Sequence, residues 1–494
     1  MIGTPDIMRQ SPLDASPCKP KQLVQIPPLP TGRRQFVPSR YNTRTTSPDG
    51  RLVMWNTFSG KITVFEPEQV ETVERLLVQQ GITAKLEGMV EYLHKRGYLV
   101  SRGTNERQRL QFAFGKQQYR TDILSLILMT SEDCNFRCVY CYEDFARGTM
   151  TPETREAVKA LVRKRAPRLK ELSVSYFGGE PLYGMEAVED LAPFLQETAR
   201  ENGLGFGCHM TTNGYLLTPE TAGKLLGWGI RDFQITLDGP AQYHNKKRVG
   251  RDGSGTFDTI FANLQALKAR PDQFRVTLRV NYDRENAPAL PEFVRMIGEE
   301  FGGDPRYHLS FHAVGKWGGD NDQNLSTCGL DEEKKVRGEM NRTAIEQGFE
   351  TRGIGSMSRP GNGVCYAARP YNFLIGATGK VMKCTVALDK KDYNVVGQLT
   401  PDGELNLDLD KMSLWTEPAF ENDSGCAKCY MVPVCQGMHC PMERIESGNR
   451  PCPPIKRALH TALLETYEAG KQRIHPTRVL KDGTRVDPNI PAAV

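Results

Sequence analysis

Short apolar runs at 123–129, 172–177, 206–211, 233–237, 275–281 and 307–312 recur through the middle of the chain, with helix-length segments between them. The runs are rich in β-branched and aromatic residues and have the length of strands. Strands joined by helical crossovers pair in parallel, because each crossover returns the chain to the same end of the sheet. The expected fold class is α/β: a partial (β/α)6 TIM-like barrel over 121–325, fewer units than a full barrel holds. Such barrels carry their chemistry at strand C-termini, so the segments just after the runs are the ones to read.

The first run leads into SEDCNFRCVYCYEDF, 131–145, which places Cys134, Cys138 and Cys141 within eight positions. The chain has thirteen cysteines, an odd number, and its first residues MIGTPDIMRQSPLD hold no apolar signal core. A cytoplasmic protein with free thiols is expected, so metal binding or catalysis is favoured over a disulfide framework. The apolar stretch ILSLILM is far below the ~18–20 residues that cross a bilayer, and no membrane association is expected. A net charge of +5, from 64 Lys and Arg dispersed among 59 Asp and Glu, gives no basic stripe for nucleic acid.

Three thiolates hold three irons of a 4Fe-4S cluster and leave the fourth iron open to a small ligand, whereas a closed electron-transfer cluster takes a further cysteine. A zinc site completed by a distant Cys or His is the structural alternative. The spacing C-x3-C-x2-C, with Tyr140 before the last cysteine, resembles the radical S-adenosylmethionine (SAM) superfamily. The resemblance implies a SAM-binding 4Fe-4S cluster and reductive cleavage of SAM to a 5'-deoxyadenosyl radical.

Further strand ends carry the same resemblance. In SVSYFGGEP, Gly178 and Gly179 let a ligand approach the backbone, and Glu180 is implied to receive the SAM ammonium. TTNG (211–214), ITLDG (235–239) and HNKKRVG (244–250) supply Asn213, Thr236, Asp238 and Arg248, with Thr236 and Arg248 implied to bind the SAM carboxylate. His209, His244 and His312 also lie near strand ends and read as polar fill.

Toward the C-terminus, Cys365 and Cys384 flank a Gly379-x4-Cys384 element, followed by Cys426-x2-Cys429-x5-Cys435-x4-Cys440 and Cys452. This resembles the SPASM extension of radical SAM enzymes, with one extra residue before Cys440. It implies two auxiliary 4Fe-4S clusters, one on Cys426, Cys429, Cys435 and Cys452, the other on Cys365, Cys384 and Cys440. In the second, Cys328 or another group completes the set, or an iron stays open to a substrate thiolate. A zinc ribbon is the alternative for the C-x2-C pair. Cys18 and Cys208 read as ordinary residues.

The expected organisation is a disordered Pro-rich tail (1–40), a winged-helix-like peptide-recognition module (41–120), the core barrel (121–325), a linker and SPASM domain (326–460) and a C-terminal tail (461–494). In the module, RLVMW and KITVF form a hairpin, PEQVETVERLLVQQG and KLEGMVEYLHKRG two helices, and GYLV a strand. By resemblance the chain is a peptide maturase whose partners are a precursor peptide or protein and a reductase or flavodoxin. An anaerobic sulfatase maturase is the alternative, though its Asp base is replaced by Thr385 after Cys384. A non-catalytic iron-sulfur or zinc scaffold is the alternative of another class.

Overall fold

The computed structural model describes residues 33–78, 81–145, 147–349, 357–388 and 391–471, with 478–479 and 485–486. Its first strands are β1 (Arg33–Pro38), β2 (Asn42–Thr46), β3 (Leu52–Asn56), β4 (Lys61–Phe65), β5 (Ile82–Lys85) and β6 (Leu99–Ser101). They form two three-stranded sheets, ordered β5-β1-β6 and β2-β3-β4. Helices Pro67–Val78 and Gly88–Lys95 turn Val73, Leu77 and Leu93 onto Phe36, Met54 and Phe65, a core separate from the barrel's.

Two sequence expectations are corrected here. Residues 1–32 of the expected tail lie outside the described residues, but Arg33–Pro38 is a central strand pairing with both β5 and β6. Pro38 sits at the strand's end, where its missing N–H interrupts little of the ladder, and Phe36 is fully buried. At the other terminus, Leu459–Lys471 is a helix rather than a tail, and Leu459, Leu463 and Tyr467 pack on Val53 and Trp55 of β3.

The barrel strands are β7 (Ile123–Ser131), β9 (Glu171–Gly178), β10 (Gly205–Thr212), β11 (Asp232–Thr236), β13 (Arg275–Tyr282) and β14 (Tyr307–Ala313). Two short strands, β8 (Phe136–Cys138) and β12 (Arg248–Gly250), pair antiparallel beside them. The six runs of the sequence are these six strands. All neighbours pair in parallel in the order β14-β13-β11-β10-β9-β7. Among the described residues β14 and β7 do not pair, so the barrel is partial and open.

Beyond β7 the sheet continues. β15 (Asn372–Ile375) adds in parallel to β7, and β16 (Lys380–Met382), β17 (Val395–Leu399) and β18 (Leu405–Leu407) follow antiparallel. The cysteine-rich region is thus fused to the barrel through one ten-stranded sheet. Glu132, buried just after β7, tightens the join: its Oε1 accepts the Ala377 N–H of the β15–β16 turn at 2.8 Å, and Arg147 donates to its Oε2. No described helix is long and apolar enough to cross a membrane.

Candidate functional site

The chain leaves β7 at Ser131, turns, and returns as β8, whose register against β12 sets Cys138 opposite Arg248. Val139 N–H donates to Lys247 O at 2.9 Å and Arg251 N–H to Asn135 O at 2.8 Å, so the cysteine loop is tied along its length to the segment carrying Arg248. A buried ion pair between Lys247 and Asp283 fixes that segment in turn.

Gly178 and Gly179 end β9 against this loop. Gly178 has φ +127°, and a side chain there would run into Ser131 O. At Gly179 an added Cβ would lie 2.6 Å from Asp133 O and 3.1 Å from Cys134 Cβ. Only glycine admits so close an approach of two strand ends. The result is a cavity of about 210 Å³ at the C-terminal end of the sheet, with Cys134, Cys138 and Cys141 on its wall beside Gly178 and Gly179. Asn213, Thr236, Arg248 and Tyr140 line it as well.

Glu180 and Asp238 are placed differently from the expectation. Both are fully buried behind the cavity wall. Glu180 accepts from Thr212 Oγ1 (2.7 Å), Asn213 N (2.7 Å) and Leu182 N (3.0 Å), which orients Asn213. Burial raises its pKa above the usual carboxylate value, against the pull of those hydrogen bonds. Asp238 accepts from Asn281 N at 2.8 Å and from the Tyr140 hydroxyl, and burial raises it too. Both carboxylates therefore hold the wall; their oxygens are already engaged by protein donors.

His244 is part of the same scaffold. Its Nδ1 accepts the Asp238 N–H at 3.1 Å and its Nε2 faces Thr256 Oγ1 at 3.1 Å. Burial, helped by Arg248, lowers its pKa to about 3. The imidazole is neutral at physiological pH, with the proton on Nε2.

The donor set suits a cationic metal centre. Burial raises the thiol pKa values of Cys134 and Cys138 and pushes Cys141 up to about 12, so these thiols surrender their protons only when positive charge replaces them. Arg248 lines the cavity; its Nη1 donates to Tyr140 OH at 2.8 Å and its buried Nε has no partner. Three thiols, a glycine cradle and an unanswered guanidinium N–H fit a cluster with a small zwitterion beside it. Among the described residues no three His, Cys, Asp or Glu converge as the ligands of a single metal ion.

Four of the C-terminal cysteines, Cys426, Cys429, Cys435 and Cys452, line a second cavity of about 80 Å³ with Arg444, Arg450 and Lys456. Cys365, Cys384 and Cys440 form another group: each of the latter two raises the Cys365 pKa after the larger effect of burial, to about 12. Cys328 lies beside Glu332, Asp283 and Arg284. Cys208 is a buried core residue of β10 and Cys18 lies outside the described residues.

Residues absent from the sequence reading complete the first cavity. Arg279 and Asn281 come from β13, and Tyr142 and Trp317 from flanking loops. The signal for Arg279 was present: in RVTLRVN, 275–281, Thr277, Arg279 and Asn281 alternate with Val276, Leu278 and Val280, so the polar residues share the face opposite the apolar ones.

Residues 128–297 match the model of the Radical SAM superfamily. The chain is similar to the radical SAM cyclopropyl synthase TigE of Paramaledivibacter caminithermalis, 21% identical over 269 residues, 48% of this chain and 55% of that protein. The match therefore spans about half of that relative's length. It is also similar to the mycofactocin maturase MftC of Mycolicibacterium smegmatis, 26% identical over 310 residues, 62% of this chain and 74% of that one. Among solved structures, native anSMEcpe with bound AdoMet and Kp18Cys peptide aligns with a TM-score of 0.54 at 20% identity, covering 71% of this chain and 98% of that chain. At that identity the likeness is one of fold.

Proposed function

Because this chain carries a radical SAM domain, we propose that it binds SAM and a 4Fe-4S cluster in the cavity beside Cys134 and modifies a ribosomally made peptide, by a cross-link or thioether. The observation that carries the reading is the meeting, in one cavity, of Cys134, Cys138 and Cys141 with Gly178, Gly179 and Arg248. When bound, the cluster supplies an electron that cleaves SAM to a 5'-deoxyadenosyl radical.

The protein's own part is placement. Cys134, Cys138 and Cys141 hold the cluster, Gly178 and Gly179 admit SAM against the backbone, and Thr236 and Arg248 take its carboxylate. Tyr140 is held by Asp238, Arg248 and Asn281, so one hydroxyl ties two wall residues to the carboxylate behind them. Asn213, oriented by Glu180 and by Asn135 at 2.7 Å, faces the Cys134 side.

The cysteine-rich region would hold two auxiliary clusters, on Cys426, Cys429, Cys435 and Cys452 and on Cys365, Cys384 and Cys440. A peptide substrate is supported by the names of the relatives: MftC is a maturase, and the anSMEcpe structure contains a peptide. In the N-terminal module β4 is an outer strand of its sheet, so a leader peptide has an edge on which to add. A formylglycine-forming role is disfavoured by Thr385, whose hydroxyl is bonded to Tyr366 OH at 2.7 Å where that branch has a carboxylate base.

The test is anaerobic reconstitution followed by SAM and dithionite, with deoxyadenosine, iron and sulfide measured on one sample. Deoxyadenosine with about 12 iron per chain, the sum for three four-iron clusters, is the expected result. Intact SAM with zinc and no sulfide would replace this reading with a structural metal scaffold.

A further inference from the structure

The first cavity contains a second guanidinium that the cofactor roles leave unused. Arg279 projects from β13 onto the cavity wall two residues before Asn281. Its Nε donates to Asn281 Oδ1 at 2.8 Å, and Asn281 is fixed by its N–H bond to Asp238 and by a 3.2 Å bond to Tyr140 OH. One edge of the guanidinium is anchored; its outer nitrogens bond to no described residue.

The group also lacks its own counter-ion. Asp238, the carboxylate that faces it electrostatically, has one oxygen on Asn281 N and the other on Tyr140 OH, and shares its charge with Arg248. Burial lowers the Arg279 pKa from its ordinary value, the mark of a cation stripped of water without full compensation. SAM brings a single carboxylate, for which Arg248, opposite Cys138 and with an Nε that has no partner, is the proposed donor. A second acid is needed to satisfy Arg279. Tyr142, Phe177 and a Trp317 that is 50% exposed line the same cavity.

From this placement we infer that Arg279 receives a carboxylate of the substrate, so that the residue held beside SAM is an Asp or Glu side chain or a peptide's C-terminal carboxylate. This rests on the SAM reading above, since it is SAM on Arg248 that leaves Arg279 for another acid. A bidentate Arg–carboxylate pair would fix both the position and the orientation of the reacting residue.

The experiment uses the reconstituted full chain under anaerobic conditions. SAM and decarboxylated SAM are titrated by calorimetry, and a random-sequence peptide library is compared with its copy whose carboxylates are all blocked as esters or amides. Arg279→Met should bind SAM within about 2-fold of the parent, whereas Arg248→Met should lose about 10-fold or more, as expected for a charge-assisted hydrogen bond. With SAM present, the parent should retain unblocked peptides about 10-fold better than blocked ones; Arg279→Met should lose that preference and Arg279→Lys should restore part of it.

If Arg279→Met weakens SAM as much as Arg248→Met yet leaves decarboxylated SAM unaffected, Arg279 belongs to the cofactor and the inference is overturned. It is also overturned if the parent retains both libraries equally or retains neither. Failure of the parent to bind SAM at all overturns the cofactor reading and this inference with it, and it is read in the titration rather than in peptide retention.

Discussion

Two cavities lined by cysteine face different problems. The one beside Cys134 has three thiols, about 210 Å³ of space and a glycine wall; the one beside Cys426 has four thiols and about 80 Å³. In the second, cations lie directly on sulfur: Arg444 Nη2 is 3.9 Å from Cys426 Sγ and Lys456 Nζ 3.5 Å from Cys452 Sγ. The first has its nearby guanidinium, Arg248, turned to Tyr140 with one N–H unanswered. A set of four thiols with cations on the sulfurs suits a closed centre that stores charge. Three thiols with room beside them suit a centre that shares its open position with a ligand.

The largest effect comes from breaking each set once. On the proposed function, Cys134→Ala should abolish deoxyadenosine formation, at least about a thousandfold, because the cluster would lose one of its three thiolates and SAM its position. Cys429→Ala should lose about four iron per chain, spare uncoupled deoxyadenosine formation and stop product formation. Iron analysis and deoxyadenosine chromatography on the same two samples check this. Full cleavage by Cys134→Ala would reverse the assignment of the two cavities.

Glycines sharpen the contrast without touching a thiol. Gly178→Ala puts a side chain at φ +127° into the backbone carbonyl of Ser131, which cannot swing away; a loss on the order of 3 kcal/mol is expected. At Gly425, beside the second cavity, an added Cβ would meet Arg450 Cζ at 2.6 Å, the end of a flexible side chain. Gly425→Ala should therefore cost less than about 1 kcal/mol. Urea midpoints of the two apo variants give both numbers, and equal losses would mean that the first wall is no more rigid than the second.

How much of this was legible beforehand depended on the range of the interaction. The six barrel strands follow from local apolar runs, and their C-terminal ends put Cys134, Gly178, Asn213 and Thr236 in one place. β15 was not readable: NFLI is four residues long and pairs with Ser125–Leu128, about 250 residues earlier in the chain, so nothing near it announces the partner. Pro density near the N-terminus hid β1, whose proline sits harmlessly at the strand's end. Glu180 and Asp238 stand in recognisable motifs, but their burial behind the wall depends on Thr212 and Asn281 approaching from other strands and on Tyr140 from the cysteine loop. The same is true of His244, an ordinary polar residue in sequence and a neutral support for Asp238 in the fold.

That histidine gives the two cavities different pH responses. Its folded pKa, about 3, lies below the unfolded value near 6.5. The folded state therefore binds fewer protons, and the stability it contributes is complete above about pH 6.5 and is lost as the pH falls toward 3. Between pH 7 and pH 5 this amounts to about 2 kcal/mol. Denaturant titrations of the apo protein should show that decrement in the parent and its absence in His244→Gln. No histidine lines the second cavity, so Lys456→Met should show the same decrement as the parent.

The smallest effect tests whether those cations act on the second centre at all. Lys456 is partly exposed and its Nζ lies 3.5 Å from Cys452 Sγ, so solvent screens much of its field. Replacing it by Met should favour the oxidised, less negative form of a centre held by Cys452. A partly screened charge worth about half a kcal/mol corresponds to a fall of about 20 mV in a one-electron potential. The SAM-side centre should not move, because Lys456 does not line that cavity. Potentiometric titration followed by electron paramagnetic resonance reads both centres together: a shift confined to one signal ties Lys456 to the closed site, and an equal shift of both would mean that the two cavities are not electrostatically separate.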